Sequence, residues 1–274
     1  MIDVVVDLLS CPRCGSGFVV DGRSLRCEQG HVFDVAKQRY VNLTGAAQPA
    51  HADTPAMVAA REELLGSGRY APLTLALDDL APPELDTVID VGTGTGHYAA
   101  AVLEKRLGAR GLGLDVSVPA CRRAARAHAR LGVVTADAWQ RLPVADSAAD
   151  LVLSVFSPRN AAEFVRVLRP TGSVITVTPT ADHLVELRSA LGLLEVEPDK
   201  ESRLADVFHR AGLRRVEQRV VVARDGWQRE DVERAILMGP NAFHTSAIDV
   251  AAATADWSWP RPVTISCQLI RWSR

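Results

Sequence analysis

Thr87-Val88-Ile89-Asp90-Val91-Gly92-Thr93-Gly94-Thr95-Gly96 decides the fold. A short apolar strand ends in an acid, and three alternating glycines carry the chain into the helix expected from Tyr98 to Leu107. Glycine at these positions lets the backbone approach a ligand closely, and the helix N-terminus behind it faces the same space. A Gly-x-Gly turn of this kind suits a dinucleotide as readily as S-adenosylmethionine, so the turn alone does not choose between them.

The residues that follow narrow the choice. Asp115 closes the next apolar run, Gly111–Leu114, where an acid accepts both hydroxyls of a ribose. Asp137-Ala138 follows a third run, Val133–Thr135, at the position that addresses an adenine amino group. Asp90, Asp115 and Asp137 in series, with Gly92, Gly94, Thr95 and Gly96 between the first two, favour S-adenosylmethionine. A nicotinamide-dependent dehydrogenase shares the first two features, but no second domain with a hydride-transfer site is evident. Further strands are expected at Asp150–Val155, Ser173–Thr178, Val216–Ala223 and Thr264–Trp272. Helices are expected at Val118–Arg130, Ala161–Leu168 (stopped by Pro170-Thr171-Gly172), His183–Leu191, Arg203–Ala211 and Arg229–Met238. Strands alternating with helices specify an α/β fold with a parallel sheet covered on both faces.

Toward the N-terminus, Cys11-Pro-Arg-Cys14-Gly15 and Cys27-x3-His31 have the spacing of one structural zinc site with all four ligands supplied by protein. Residues 8–43 hold too little apolar material for a core of their own, so a metal staple is physically reasonable. Five cysteines scattered over 274 residues are not a disulfide framework, and Cys121 and Cys267 read as small core residues. Residues 44–54 are linker-like, and Thr54-Pro55 starts a helix running to Gly66. The expected division is 1–44 as a zinc module, 45–84 as linker and helices, and 85–274 as the cofactor domain.

With 47% hydrophobic and 23% charged residues, the chain has an ordinary globular composition rather than a disordered one. No apolar run approaches the roughly 18–20 residues needed to cross a bilayer. The acids Asp3 and Asp7 stand where a signal peptide is basic, so the expected location is the cytoplasm, with no membrane partner. A net charge of −2 does not advertise nucleic acid, although a local patch still binds phosphate. Lys105, Arg106, Arg110, Arg122, Arg123, Arg126 and Arg130 read either as two solvated helix faces or as such a patch.

With these residues in view, the chain resembles the 23S ribosomal RNA (guanine-N1)-methyltransferases, the RlmA group, including members of the tylosin-resistance (macrolide-resistance) type. The resemblance spans nearly the whole chain. Its specific pieces are Cys11-Pro-x-Cys14, Cys27-x3-His31-x-Phe33-Asp34-x-Ala36-Lys37-x2-Tyr40-Val-Asn42-Leu43 and Met57-x3-Arg61-x6-Gly68-x-Tyr70-x-Pro72-Leu73. To these are added Gly113-Leu-Asp115-Val-Ser117, Leu142-Pro143 and Val174-Ile-Thr176-x-Thr178-Pro179-x3-His183-Leu184-x-Glu186-Leu187. The chain departs from the group at Pro170-Thr171-Gly172, where Pro-Gly-Gly is usual.

The resemblance implies a Rossmann-like, seven-stranded class I methyltransferase domain behind a zinc module that helps recognise a hairpin loop of 23S ribosomal RNA. It also implies homodimers, and cofactor contacts at Tyr70, Gly94, Thr95 and His183. The loop Ser154-Val-Phe156-Ser157-Pro158-Arg159-Asn160 is where such enzymes hold the acceptor base, with Phe156 placed to stack on it and Asn160 to read an edge. That loop contains no Asp or Glu, so it offers no general base. Two other readings stand beside RNA methylation: a small-molecule methyltransferase of antibiotic tailoring with zinc as a clip, and a non-catalytic zinc and RNA-binding protein. The Phe33–Leu43 extension disfavours the former, and the intact glycine turn with its acids disfavours the latter.

Overall fold

The computed structural model describes residues 2–45, 48–50, 52–194 and 200–274, the side chains of residues 200 and 201 excepted. Ala46, Ala47 and His51 of the expected linker lie outside them. The chain opens with a 3-10 helix, Ile2–Leu8, and a three-stranded antiparallel ribbon of β1 (Phe18–Asp21), β2 (Ser24–Cys27) and β3 (Val32–Asp34). Then come β4 (Tyr40–Asn42), α1 (Pro55–Gly66), α2 (Ala71–Leu80), β5 (Thr87–Val91), α3 (His97–Lys105), β6 (Arg110–Asp115), α4 (Val118–Ala124) and β7 (Leu131–Thr135). The second half holds β8 (Ala149–Val155), α5 (Ala161–Val167), β9 (Leu168–Pro179), α6 (Val185–Leu191), α7 (Lys200–Arg210) and β10 (Arg214–Trp227). It ends with α8 (Arg229–Leu237), α9 (Ala247–Ala253) and β11 (Arg261–Ser273).

The large sheet has the order β10-β11-β9-β8-β5-β6-β7-β4. Neighbours from β9 to β4 are parallel, while β11 runs antiparallel to both β9 and β10. The chain builds β5, β6 and β7 outward to one side, then crosses to β8 on the other side of β5. That reversal leaves a crevice at the carboxyl ends of β5 and β8, where open α/β sheets bind ligands.

The sheet is buried on both faces because its strands alternate between two cores. Val88 of β5 and Leu151, Leu153 and Val155 of β8 pack with α2, α3 and α8, whereas Ile89, Val91 and Val152 pack into the opposite core. That opposite core also takes in Cys11, Phe18, Leu25, Cys27 and Phe33 of the ribbon. The ribbon therefore borrows the core of the large domain, which explains how so few apolar residues stay ordered.

The sheet has eight described strands instead of seven. The additional one is β4, the Tyr-Val-Asn of the zinc-module extension, which pairs in parallel with β7. Thr135 ties the seam: its hydroxyl donates to Asn42 Oδ1 at 2.6 Å and accepts from Leu43 N at 3.1 Å.

Two other expectations change. The helix expected over Val118–Arg130 ends at Ala124, after which Arg126 N and Ala127 N bond three residues back, to Arg123 O and Ala124 O. Pro170-Thr171-Gly172 is not a helix stop followed by a separate strand but the bulged start of β9, where the register moves from Ala149–Leu168 to Leu151–Ser173. A Cβ on Gly172 would lie 2.9 Å from Ala149 O, so the close approach of β8 demands glycine.

The basic segment is neither a solvated face nor a phosphate patch throughout. Arg106 donates to Asp78 Oδ1 and the carbonyls of Ala81 and Pro82, Arg130 to the carbonyls of Leu103 and Arg106, and Arg110 to Asp7. Three of its members are thus structural clamps. Cys121 and Cys267 are fully buried, as small core residues should be. No helix among the described residues is long and apolar enough to cross a membrane.

Candidate cofactor cavity and metal centre

The two cysteine knuckles converge. Gly15 and Gly30 take left-handed backbone (φ +77° and +80°) and let the turns close, Gly15 N donating to Cys11 O and Gly30 N to Cys27 O. Cys14 Sγ lies 3.6 Å from Cys27 Sγ, and His31 Nδ1 lies 3.5 Å from Cys11 Sγ and 3.4 Å from Cys27 Sγ. The four ligand atoms lie within 4.8 Å of one another. Zn–S and Zn–N bonds of about 2.3 and 2.0 Å set tetrahedral edges of roughly 3.5–3.8 Å. The donor set fits one structural zinc closed to catalysis.

A cavity of about 980 Å³ opens over the carboxyl ends of β5 to β9. It is at the upper end of the range for small-molecule sites, about 300–1,000 Å³, with room for a nucleoside-sized cofactor and a second base. Tyr70, Asp90, Gly92, Gly94, Thr95, Asp115, Asp137, Ala138, Phe156 and His183 all line it. Two expected residues do not. Gly96 sits behind the turn with φ +80°, and a Cβ there would lie 2.9 Å from Ala127 Cβ and 3.1 Å from Ala124 Cα. Its role is the close packing of α3 against the segment after β6, not ligand approach. Asn160 caps α5, its Oδ1 accepting from Glu163 N at 3.4 Å, so its amide is not turned into the cavity.

The glycine turn is held from two sides. A Cβ on Gly92 (φ +73°) would fall 2.4 Å from Ser157 Cβ, so the loops after β5 and β8 touch only because that side chain is absent. Arg61 lies against Gly94, pairs with Asp53 and donates to Met238 O at 2.6 Å, clipping α1 to the end of α8 above the turn. Asp90 is buried and accepts from Thr93 Oγ1 at 2.7 Å; burial raises its carboxyl to about 7, against the pull of that hydroxyl. Asp115 accepts from Gly94 N and Ser117 N, each at 2.8 Å, and burial pushes its carboxyl up too. Asp137 Oδ1 accepts from Trp139 N at 2.9 Å and leaves the Trp139 indole on the rim.

The far wall is aromatic and cationic. His183 Nδ1 accepts from Ser266 N at 3.2 Å, which assigns the ring proton to Nε2, 3.4 Å from the Tyr70 hydroxyl. Burial and the neighbouring Arg188 push this imidazole down to about 4, so it is neutral at physiological pH. Burial raises the Tyr70 phenol, which stays protonated. Phe156 sits at φ +52° with its ring centroid 6.0 Å from that of His183 and remains 42% exposed to the cavity. Holding a bulky residue in left-handed backbone costs about 1–2 kcal/mol, a strain that clusters at ligand sites.

Sequence reasoning did not single out Asp53, Trp139, Tyr98 or Arg159 as lining residues, and it met Arg61 only as part of a motif. Tyr98 Oη and Arg159 Nε are buried with no hydrogen-bond partner among the described residues. Both residues line the same cavity, and unpaired polar groups at its wall suit a polar ligand.

A doubly wound sheet, a glycine turn between acid-tipped strands and a cavity for a nucleoside define a class I S-adenosylmethionine-dependent methyltransferase, here fused to a zinc ribbon. Residues 9–48 match a family model for the zinc ribbon described as RlmA, N-terminal, and residues 88–172 match a methyltransferase-domain model. The chain is 45% identical to the 23S rRNA (guanine(748)-N(1))-methyltransferase of Streptomyces fradiae, over 96% of this chain and 95% of that one. It is 43% identical to a Micromonospora griseorubida protein provisionally named 23S rRNA (guanine-N(1)-)-methyltransferase, over 96% of each. The chain belongs to the 23S rRNA (guanine-N1)-methyltransferase family. Among solved structures, the fold resembles Haemonchus contortus phosphoethanolamine N-methyltransferase 2 (TM-score 0.52, 15% identity, 81% of this chain and 58% of that one).

Proposed function

We propose that this chain methylates N1 of a guanine in a hairpin loop of 23S ribosomal RNA. S-adenosylmethionine supplies the sulfonium-borne methyl group. The charge layout of the cavity carries this reading. Among the described lining residues, the acids Asp53, Asp90, Asp115 and Asp137 come from or adjoin the β5–β7 side, where the one arginine, Arg61, is paired with Asp53 and leaves the other three acids in excess. Arg159, Arg188 and Arg203 follow β8 and β9. Acids suit a cofactor that is cationic at sulfur and nitrogen, and arginines suit a polyanionic acceptor.

In this reading Asp115 holds the ribose hydroxyls, and Asp137 with Ala138 borders the adenine. Asp90, Thr95, Tyr70, His183 and the amides of Gly92–Gly94 surround the methionine end. Phe156 stacks on the acceptor base, which must leave its helix because pairing occupies N1. Asn160 keeps its capping role.

Residues 1–44 serve RNA recognition, residues 45–84 connect, and residues 85–274 carry the chemistry. A second, smaller hollow supports the first of these: it lies between Ser10–Gly15 of the cysteine knuckle and Arg141-Leu142-Pro143, joining the ribbon to the β7 side of the sheet. A homodimer acting in the cytoplasm and protection against tylosin-type macrolides belong to the same proposal.

The test supplies labelled S-adenosylmethionine to protein-free 23S RNA and, separately, to macrolide acceptors. Label entering RNA alone, recovered as 1-methylguanosine, is the expected result. Chelated, zinc-free protein is expected to lose that transfer while still binding cofactor in calorimetry. Label in the small molecules alone would overturn the proposal.

A further inference from the structure

Arg159 stands in the loop between β8 and α5, three residues after Phe156, and lines the cavity. Its Nε is buried without a partner among the described residues, and no acid offsets the burial that pushes its pKa down. Guanidinium remains charged in proteins, so this is a half-buried cation with no acid paired to it among the described residues. Arg188, by contrast, already donates to the carbonyls of His183 and Ala181. The loop Ser154–Asn160 has no carboxylate that could take the proton from a guanine.

We infer that Arg159 grips the O6 and N7 edge of the target guanine, selecting guanine and stabilising the charge that collects on O6 as N1 reacts. This rests on the function proposed above. Guanine displays two adjacent acceptors on that edge, which a guanidinium fork meets in bidentate fashion, whereas adenine presents a donor beside N7. Gripping that edge leaves N1 free. In the reaction N1 bonds to the methyl carbon as the methyl–sulfur bond breaks, sulfur keeps the electron pair, and the N1 proton passes to solvent. Electron density released from N1–H spreads to O6, so a fixed cation there makes N1–H more acidic and raises the share of the nucleophilic anion at neutral pH without a general base. The other charged or titratable groups around the cavity are Asp53 and Arg61, which pair with each other, Asp90, Asp115 and Asp137 at the strand ends, Tyr70, His97 and Tyr98, and His183, Arg188 and Arg203. All are common to wild type and variant and cancel in the comparison below.

The experiment compares wild type, Arg159→Gln and Arg159→Lys on a 23S hairpin transcript carrying guanine or 7-deazaguanine at the target. Arg159→Gln is expected to lower kcat at pH 7 by about 10²–10³-fold, as removal of one oxyanion donor does. RNA affinity should change far less, and the rising limb of the pH–rate profile, set by loss of the N1 proton, should move to higher pH. Lysine should restore part of the rate. The 7-deaza substitution should slow wild type about tenfold or more but leave Arg159→Gln unaffected, and the melting temperature of Arg159→Gln should not fall.

An unchanged kcat and pH profile would overturn the inference. So would a variant whose main defect is a salt-dependence slope reduced by about one, the mark of a phosphate contact. Loss of S-adenosylmethionine affinity in calorimetry would do the same by assigning Arg159 to the cofactor carboxylate. If wild type itself makes no 1-methylguanosine, the proposed function fails first; if wild type does and Arg159→Gln matches it, only this inference fails.

Discussion

Asp90 is a carboxyl whose ordinary pKa of 3.8 is raised to about 7 by burial, so the fold holds it protonated where an unfolded chain would not. Between about pH 4 and 7 the folded state binds the extra proton, and stability falls as pH rises through that window before levelling off. Three pH units at 1.36 kcal/mol each set an upper bound of about 4 kcal/mol. Asp90→Asn should therefore raise the stability of the free protein at pH 8 relative to wild type and flatten its pH dependence, as urea denaturation at pH 5 and pH 8 would show. A cationic cofactor favours the ionised form, so binding should release up to about half a proton at pH 7, and more at pH 6, in wild type and none in Asp90→Asn. Calorimetry in buffers of different ionisation heat counts that proton, and equal counts for the two proteins would contradict this role for Asp90. Asp90, Asp115 and Asp137 were legible because each ends an apolar run. Arg159 was not, since a loop arginine reads as solvated until its burial is seen. Asn160 was misplaced although Asn160-Ala-Ala-Glu163 already spells a helix cap followed by an acid at its third position.

Packing between elements explains which glycines are needed. Gly96 combines left-handed backbone with contacts a Cβ would make below 3.2 Å, so Gly96→Ala should cost about 2–4 kcal/mol from strain and overpacking together. Gly108, with no positive φ and open space around it, is the control, and Gly108→Ala should stay within about 0.5 kcal/mol. Chemical denaturation compares the two, and equal midpoints would contradict the packing role. Helix α1 was read to its ends because Thr54 and Pro55 mark its start, the Thr54 hydroxyl accepting from Met57 N. β4 could be suspected as a strand from Tyr40-Val-Asn42, but its partner, β7, lies about ninety residues away, and nothing local names it. The shortened α4 was overestimated because Val118–Arg130 has helical composition throughout, while tight turns close its second half.

Over the whole molecule, strand order separates two tasks: β5, β6 and β7 present carboxylates to one end of the cavity, and the loops after β8 and β9 present Phe156, His183 and arginines to the other. The parallel α/β class was legible from alternation alone. The place of β11 between β9 and β10, and the shared core that seats the zinc ribbon beneath the sheet, come from long-range pairing and burial that periodicity does not encode. The ribbon is thereby held against the domain that carries the cavity, as the proposed joint action of recognition and chemistry on one RNA hairpin requires. The most direct test of that account is primer extension on unmodified 23S RNA after incubation with the protein and S-adenosylmethionine, because methylation at N1 blocks pairing and halts the polymerase. The account predicts one new stop at a single hairpin-loop guanine, absent without cofactor; no stop from protein shown by calorimetry to bind the cofactor would contradict it.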